Sequence, residues 1–197
     1  MSISNIRTDG SILLPSFIKS NADCDQLRIF EFVMYFRGMN SIIEIRLLGE
    51  FQVSADKPIL FTTRKTGLLF AFLATRVGDA VPRDKLKGLL WSDRGEQQAA
   101  GSLRRALSDL RKCLGEFSVT NIVETSPKSV RLLPSAVDVD LVRFESLATS
   151  DTPDAMREAA TSFHGPFLDD LHAPDPAAQD WLRIERERVH NLAISLA

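Results

Sequence analysis

An α+β fold, with a small amino-terminal sheet, three helices and a carboxy-terminal hairpin followed by a helical segment, is predicted from three observations. Residues 42–61 read as short strands. From Ile42 to Val53 β-branched and apolar residues nearly alternate, Ser54–Pro58 is a turn, and Ile59–Leu60–Phe61 is a short return strand. Residues 62–115 then carry three successive helical patterns with apolar stripes. Finally, Asn121–Thr125 and Val130–Leu133 are two short strands around the polar turn Ser126–Pro127–Lys128–Ser129. Two strands placed this way after a basic helix make the wing of a winged helix.

Thr62 or Thr63 caps the first helix, which runs to about Arg76, turns Leu68, Leu69, Phe72 and Leu73 inward, and stops at Gly78. The second begins at Val81–Pro82–Arg83–Asp84, because proline suits a first helical turn. Leu86, Leu89, Leu90 and Trp91 form its apolar side, with Trp91 as a core anchor. The third occupies about 94–114 within the stretch Asp93–Gly115. Asp93 and Glu96 have capping-box spacing, and Gly115 suits the left-handed position after the last turn. Leu103, Leu107, Leu110 and Leu114, with Ala99 and Ala106, share one face. At about 100° per residue the opposite face carries Gln98, Gly101, Arg105, Ser108 and Lys112, with Arg104 and Arg111 along one edge. A DNA major groove admits such a helix, and its guanidinium and ammonium groups reach guanine edges or phosphates. A basic helix face is by itself more often only solvated, so the surrounding sequence has to decide.

The charge distribution is the first such support. The whole chain carries net −2, which argues against a nucleic-acid binder. Residues 62–114, however, hold 11 Lys/Arg against 5 Asp/Glu, a net of +6, while residues 115–197 hold 7 against 14, a net of −7. A basic contact module beside an acidic one with another task is the expected meaning. Cys24 and Cys113 form no CxxC and no ligand spacing with the three histidines, which fits a reduced, cytoplasmic protein. No apolar run approaches the roughly 20 residues of a membrane span.

Val137–Leu141 and then Phe144 and Leu147 on one helical face open the later segment. A helix over about 154–163 carries the small residues Ala155, Ala159 and Ala160 for close packing. The chain breaks at Phe163–Leu168 and again at Ala173–Pro176. A last helix from Gln179 presents Trp181, Leu182, Val189, Leu192 and Ile194, with Glu185, Arg186, Glu187 and Arg188 outside. Its pattern still runs at Ala197 without a cap, as in a repeat unit cut from its neighbours, so a truncated longer protein is expected. Residues 1–40 have no evident partner element. Two readings are open for them: a start set too early, with translation from Met39, or a disordered extension.

The series L-L-G-E-F (47–51), T-R-K-T-G-L-L-F-A-F-L-A (63–74), V-P-R-D-K-L-K-G-L-L-W (81–91) and S-L-R-R-A-L-S-D-L-R-K-C-L (102–114) resembles the OmpR/PhoB-type winged helix, in the version found in regulators of the SARP class. D-V-D-L-V-R-F-E-S-L (138–147), F-H-G-P-F-L-D-D-L (163–171) and W-L-R-I-E-R-E-R (181–188) are similar to the start of the bacterial transcriptional activation domain, a tetratricopeptide-like helical array. The resemblance implies a winged helix over 41–135 and the beginning of an all-α activation domain over 136–197. It also implies a third helix that enters the major groove and a wing near 126–129 on backbone or minor groove. By position, Gln98, Arg104, Arg105, Ser108, Arg111 and Lys112 fall on the reading helix, Arg64 and Lys65 at the start of the first helix, and Lys128 and Ser129 at the wing tip. The implied partners are double-stranded promoter DNA, RNA polymerase or another transcription component, and a second copy on DNA. Two features depart from the family. The returning wing strand reads Ser129–Val130–Arg131–Leu132 where Gly-Tyr-Arg-Leu is common, and residues 1–40 are not expected to form a receiver domain with a phosphorylatable aspartate.

No enzyme is expected, since P-loop, GxGxxG, HExxH and GxSxG patterns are absent. His164, His172 and His190 are isolated, and Asp138, Asp140, Asp169 and Asp170 read as caps or loop residues with no third ligand at a useful spacing. No cofactor or metal is expected. The rival to a sequence-specific DNA-binding regulator is a protein-interaction scaffold whose winged helix no longer binds DNA, favoured by the acidic later segment and the missing wing tyrosine.

Overall fold

A computed structural model describes residues 42–115, 122–150 and 152–196. The extension expected at 1–40 lies outside the described residues, as do Asn121 of the first wing strand and Ala197. In β1 (Ile43–Arg46) Ile43 and Ile45 are buried while Glu44 and Arg46 are exposed, the period of two that puts one strand face on a core. β2 (Gln52–Ser54) pairs antiparallel with it, Val53 opposite Ile45. The return strand expected at Ile59–Phe61 does not form. Ser54 bridges Pro58, the Ile59 N–H donates to Val53 at 2.7 Å, and Leu60 is 83% exposed. Pro58 has no N–H with which to extend a ladder.

α1 (Arg64–Ala74) starts at Thr63, whose hydroxyl accepts the Thr66 N–H at 3.1 Å. Every residue from Thr66 to Ala74 is buried, so this is a central helix rather than a one-faced one. β3 (Val81–Pro82) precedes α2 (Arg83–Leu90). Pro82 lies just ahead of the helix rather than in its first turn, and it pairs with Ser129. α3 (Glu96–Gly115) buries Ala99, Leu103, Ala106, Leu107, Leu110 and Leu114, as its pattern predicts. The capping box does not form. The helix begins beyond Asp93, the Gly95 carbonyl takes the Ala99 N–H at 2.9 Å, and the Glu96 carboxylate is drawn to Lys87 of α2. Gly115 is the last helical residue instead of the one after it. β4 (Val123–Thr125) and β5 (Ser129–Leu132) make the expected hairpin, and β3 joins it in a second sheet of order β3-β5-β4.

The segment expected to be all helical begins with a strand. β6 (Val137–Val139) runs parallel to β1, Val137 opposite Ile43 and Val139 opposite Ile45, so the first sheet has the order β2-β1-β6. α4 (Asp140–Ala148), α5 (Pro153–Ser162) and α6 (Pro176–Ile194) follow. Ala159 is fully buried, whereas Ala160 is exposed. Trp181, Leu182 and Val189 are buried as expected, but Ile194 is exposed. Arg186, expected outside, turns in and donates to the carbonyls of Phe167, Leu168 and Leu171. Those carbonyls belong to an irregular stretch without a ladder, and a guanidinium supplies the several donors they need.

That irregular stretch binds the end of β1. Leu48 bridges Phe167. The Leu168 N–H donates to Leu47 at 2.8 Å, the Gly49 N–H to Pro166 at 2.9 Å and the Asp169 N–H to Gly49 at 2.9 Å. Gly49 has φ 89°, and a Cβ on Gly165 would lie 3.2 Å from the Gly49 Cα, so the first backbone takes a left-handed turn and the second passes close against it. The aspartates serve the same junction. Asp170 accepts the Phe51 N–H at 2.7 Å, and Asp140 accepts those of Leu47 (2.8 Å), Leu48 (3.0 Å) and Leu141 (2.7 Å). Burial pushes the Asp140 carboxyl above its ordinary 3.8, against the opposing pull of its three N–H partners and of His164. Trp181 of α6 meets Phe72 of α1 edge-on at 5.1 Å between ring centres and Phe167 at 5.8 Å. The core therefore runs without interruption across residue 135.

Two outcomes test this junction. Gly49→Ala forces an L-residue into a left-handed conformation and lowers stability by about 1–2 kcal/mol, read from urea-unfolding midpoints. Because the folded pKa of Asp140 is raised, its favourable contribution is complete below 3.8 and is lost as pH rises through the folded value. The stability of the wild type relative to Asp140→Asn therefore falls across that window in urea titrations at stepped pH.

Candidate nucleic-acid interface

The leucine stripe of α3 fixes which way its charges look. With Leu103, Leu107, Leu110 and Leu114 at most 4% exposed, the opposite face is directed outward. Gln98, Arg104, Arg105, Ser108, Arg111 and Lys112 are all exposed, and a Cβ on Gly101 would meet nothing within 4 Å. None of α4, α5 or α6 covers Arg105 or Lys112.

The hairpin stands beside this face, held by two arginines. The Ser126 hydroxyl accepts the N–H groups of Lys128 (3.2 Å) and Ser129 (2.9 Å), and the Ser126 N–H donates to the Ser129 carbonyl at 2.8 Å, which closes the turn. Arg83, the first residue of α2, donates its backbone N–H to Lys128 at 2.9 Å and its Nε to the Ser126 carbonyl at 2.8 Å. Arg111 donates from Nη2 to the Thr125 hydroxyl at 2.5 Å. Between α3 and the hairpin lies an open cleft of about 340 Å³, lined by Arg83, Arg104, Leu107, Ser108, Arg111, Lys112 and Thr125. Four cations and two hydroxyls around one cleft make a surface that attracts anionic oxygens. Lys128 is exposed at the hairpin tip, and Ser129 is half-buried with its hydroxyl 3.0 Å from that of Ser126.

The two cations at the start of α1 part company. Arg64 is exposed. Lys65 turns inward, donates to the Leu90 carbonyl at 2.5 Å and lies over the Trp91 ring at 5.6 Å. α1 is buried on nearly every side, and of the two cations in its first turn Arg64 is the exposed one while Lys65 is half-buried. Arg83 was missed by sequence reasoning. Only the pairing of β3 with β5, between residues far apart in sequence, carries it to the hairpin tip, and its cationic character at a helix start was the one available signal.

Among the described residues no group of three or more His, Cys, Asp or Glu is placed to hold a metal, and no helix is long and apolar enough to cross a membrane. His164 directs Nδ1 at the Ser162 carbonyl, 2.5 Å away.

The chain is thus a mixed α/β protein, with two small sheets and six α-helices among the described residues, that displays one cationic helix-and-hairpin face. A similar fold occurs in Mycobacterium tuberculosis EmbR, solved in complex with a low-affinity phosphopeptide, with a TM-score of 0.64 and 23% identity over 80% of this chain. The match takes in 44% of the EmbR chain, so the present chain spans less than half of that protein's length. No family model and no curated protein matches the sequence.

Arg83→Ala removes the side-chain hold on the turn while leaving the backbone bond. Losing one hydrogen bond of about 1 kcal/mol should speed hydrogen exchange at the Ser126 and Ser129 amides about fivefold, with the amides of Leu103 and Leu107 unchanged.

Proposed function

We propose that this chain is a non-enzymatic, sequence-specific transcriptional regulator that reads double-stranded promoter DNA. In this reading residues 41–135 are a winged helix of the OmpR/PhoB type in its SARP-class version, and residues 136–197 open a tetratricopeptide-like bacterial transcriptional activation domain. The observation that carries it is the exposed face of α3: its leucines are buried, its guanidinium groups look outward, and the hairpin forms a second cationic wall beside them. The likeness in fold to EmbR supports it. Arg105, Ser108, Gln98 and Lys112 face bases in the major groove, while Arg64, Arg83, Arg104, Arg111 and Lys128 lie toward phosphates. Ser129 shapes the turn that carries Lys128 to backbone or minor groove.

The helical segment takes the protein partner. RNA polymerase or another transcription component is the proposed one, with a second copy of the chain on adjacent DNA, in the cytoplasm. The scaffold reading, in which the winged helix has lost DNA, is favoured by the Ser129–Leu132 strand without its tyrosine.

Anisotropy titrations of labelled promoter duplexes against salt separate the two. A DNA reader loses affinity linearly in log–log form, with a slope near −0.9 per phosphate contact, and a scaffold shows no steep fall. Arg105→Ala should lose about 1–3 kcal/mol of discrimination at one base pair. Arg104→Ala should instead weaken all sequences alike and reduce the slope by about 1. If neither variant changes binding, the assignment of the α3 face is wrong.

A further inference from the structure

Asp175 is buried, 3% exposed, and is the residue before α6. Its backbone begins that helix by accepting the Gln179 N–H at 2.9 Å, yet its side chain makes no cap. An aspartate at this position ordinarily bonds the first free N–H groups of its own helix. Here the carboxylate is spent elsewhere. It accepts the Ser92 N–H at 3.1 Å and the Ser92 hydroxyl at 2.5 Å, and the Lys65 ammonium stands 3.9 Å away. Pro174 and Pro176 flank it and restrict the backbone on which it is mounted.

The place it grips is the corner between α2 and α3. Ser92 follows Trp91, the last cap residue of α2, and α3 starts at Glu96. From the other side Lys65 holds Leu90 and covers Trp91. One carboxylate from the residue before α6 and one ammonium from α1 thus close on three consecutive residues that set the direction in which α3 departs. Lys112 lies 16 residues beyond Glu96, about 24 Å along the helix at 1.5 Å per residue. A tilt of about 5° at the corner therefore displaces it by about 2 Å, a large error against a hydrogen bond of about 2.9 Å.

We infer that Asp175 is a positioning residue for DNA reading: through Ser92 it sets the angle of α3, and so couples the helical segment to the face that meets bases. Its effect on binding rests on the DNA-reading proposal, whereas the clamp itself does not. Asp175 touches neither base nor phosphate in this arrangement, so its loss alters discrimination and leaves the salt slope as it is. A signal that moves α6 moves the corner with it.

The test uses the whole chain and the variants Asp175→Ala, Ser92→Ala, their combination, and Asp175→Asn, which can still bond Ser92. Hydrogen exchange over residues 99–103 reads the clamp without DNA. Titrations with a duplex selected by the chain from a randomised library, and with an unrelated duplex of equal length, read its consequence. Asp175→Ala should raise exchange there and weaken the selected duplex about tenfold, equivalent to about 1.4 kcal/mol, with the unrelated duplex and the salt slope within about twofold. Ser92→Ala should show a smaller change in the same direction, the double variant should add nothing to Asp175→Ala, and Asp175→Asn should restore most of the difference. Unchanged exchange in a folded Asp175→Ala overturns the inference, as do additive effects. If Asp175→Ala does not fold, Ser92→Ala decides by the same two readouts. A wild type that prefers no duplex sinks the DNA-reading proposal instead, and the exchange result still judges the clamp.

Discussion

Burial of α1 from Thr66 to Ala74 is the constraint on which the rest of the molecule depends. A helix that is apolar all round must be enclosed on every side, and here each side has a different cover. The leucines of α3 pack against one, and the sheet hairpin and α2 against others. Trp181 of α6 closes on Phe72. Each fully buried leucine or phenylalanine contributes about 1.5–3 kcal/mol, and Leu68, Leu69, Phe70, Phe72 and Leu73 are all at most 1% exposed. The cationic face follows from this demand: once the leucines of α3 are committed to α1, Arg104, Arg105, Ser108 and Lys112 have no direction left but outward.

The same demand binds the later helices to the earlier ones. β6 completes the first sheet, and the Gly165–Asp170 stretch is tied to Leu47–Phe51 through backbone bonds that need two glycines at their crossing. Asp140, Asp170 and Arg186 then satisfy backbone groups that this irregular crossing leaves without a ladder, and Asp175 does the same for Ser92 at the corner between α2 and α3. Polar side chains that resemble ordinary surface residues in the sequence are thus spent on internal joints. This is why the basic segment and the acidic one, opposite in net charge, fold around one core.

Local pattern carried a long way. The apolar spacing of α1, α2 and α3, a threonine cap at 62 or 63, the alternation in β1 and the hairpin over 123–132 were all legible, because each depends on residues within one or two turns of each other. The exposed positions on α3 follow by rotation alone. Where reading failed, a distant residue had intervened. Glu96 left the capping box for Lys87 and Arg186 turned to Phe167, whereas Ile59–Phe61 lost its ladder through a local cause, the adjoining Pro58. Arg83 reached the candidate face only because β3 pairs with β5.

By itself, then, the sequence determined the succession of the helices, the hairpin after α3 and which side of α3 is apolar, since helical and strand periods are properties of neighbouring residues. Tertiary structure alone decided which cations stay free, that β6 belongs to the first sheet, and that Asp175 closes on Ser92. Those outcomes depend on which groups distant in the chain are brought within hydrogen-bonding reach, and a short-range charge or donor bond at 3 Å is set by the packing of the core rather than by position along the chain.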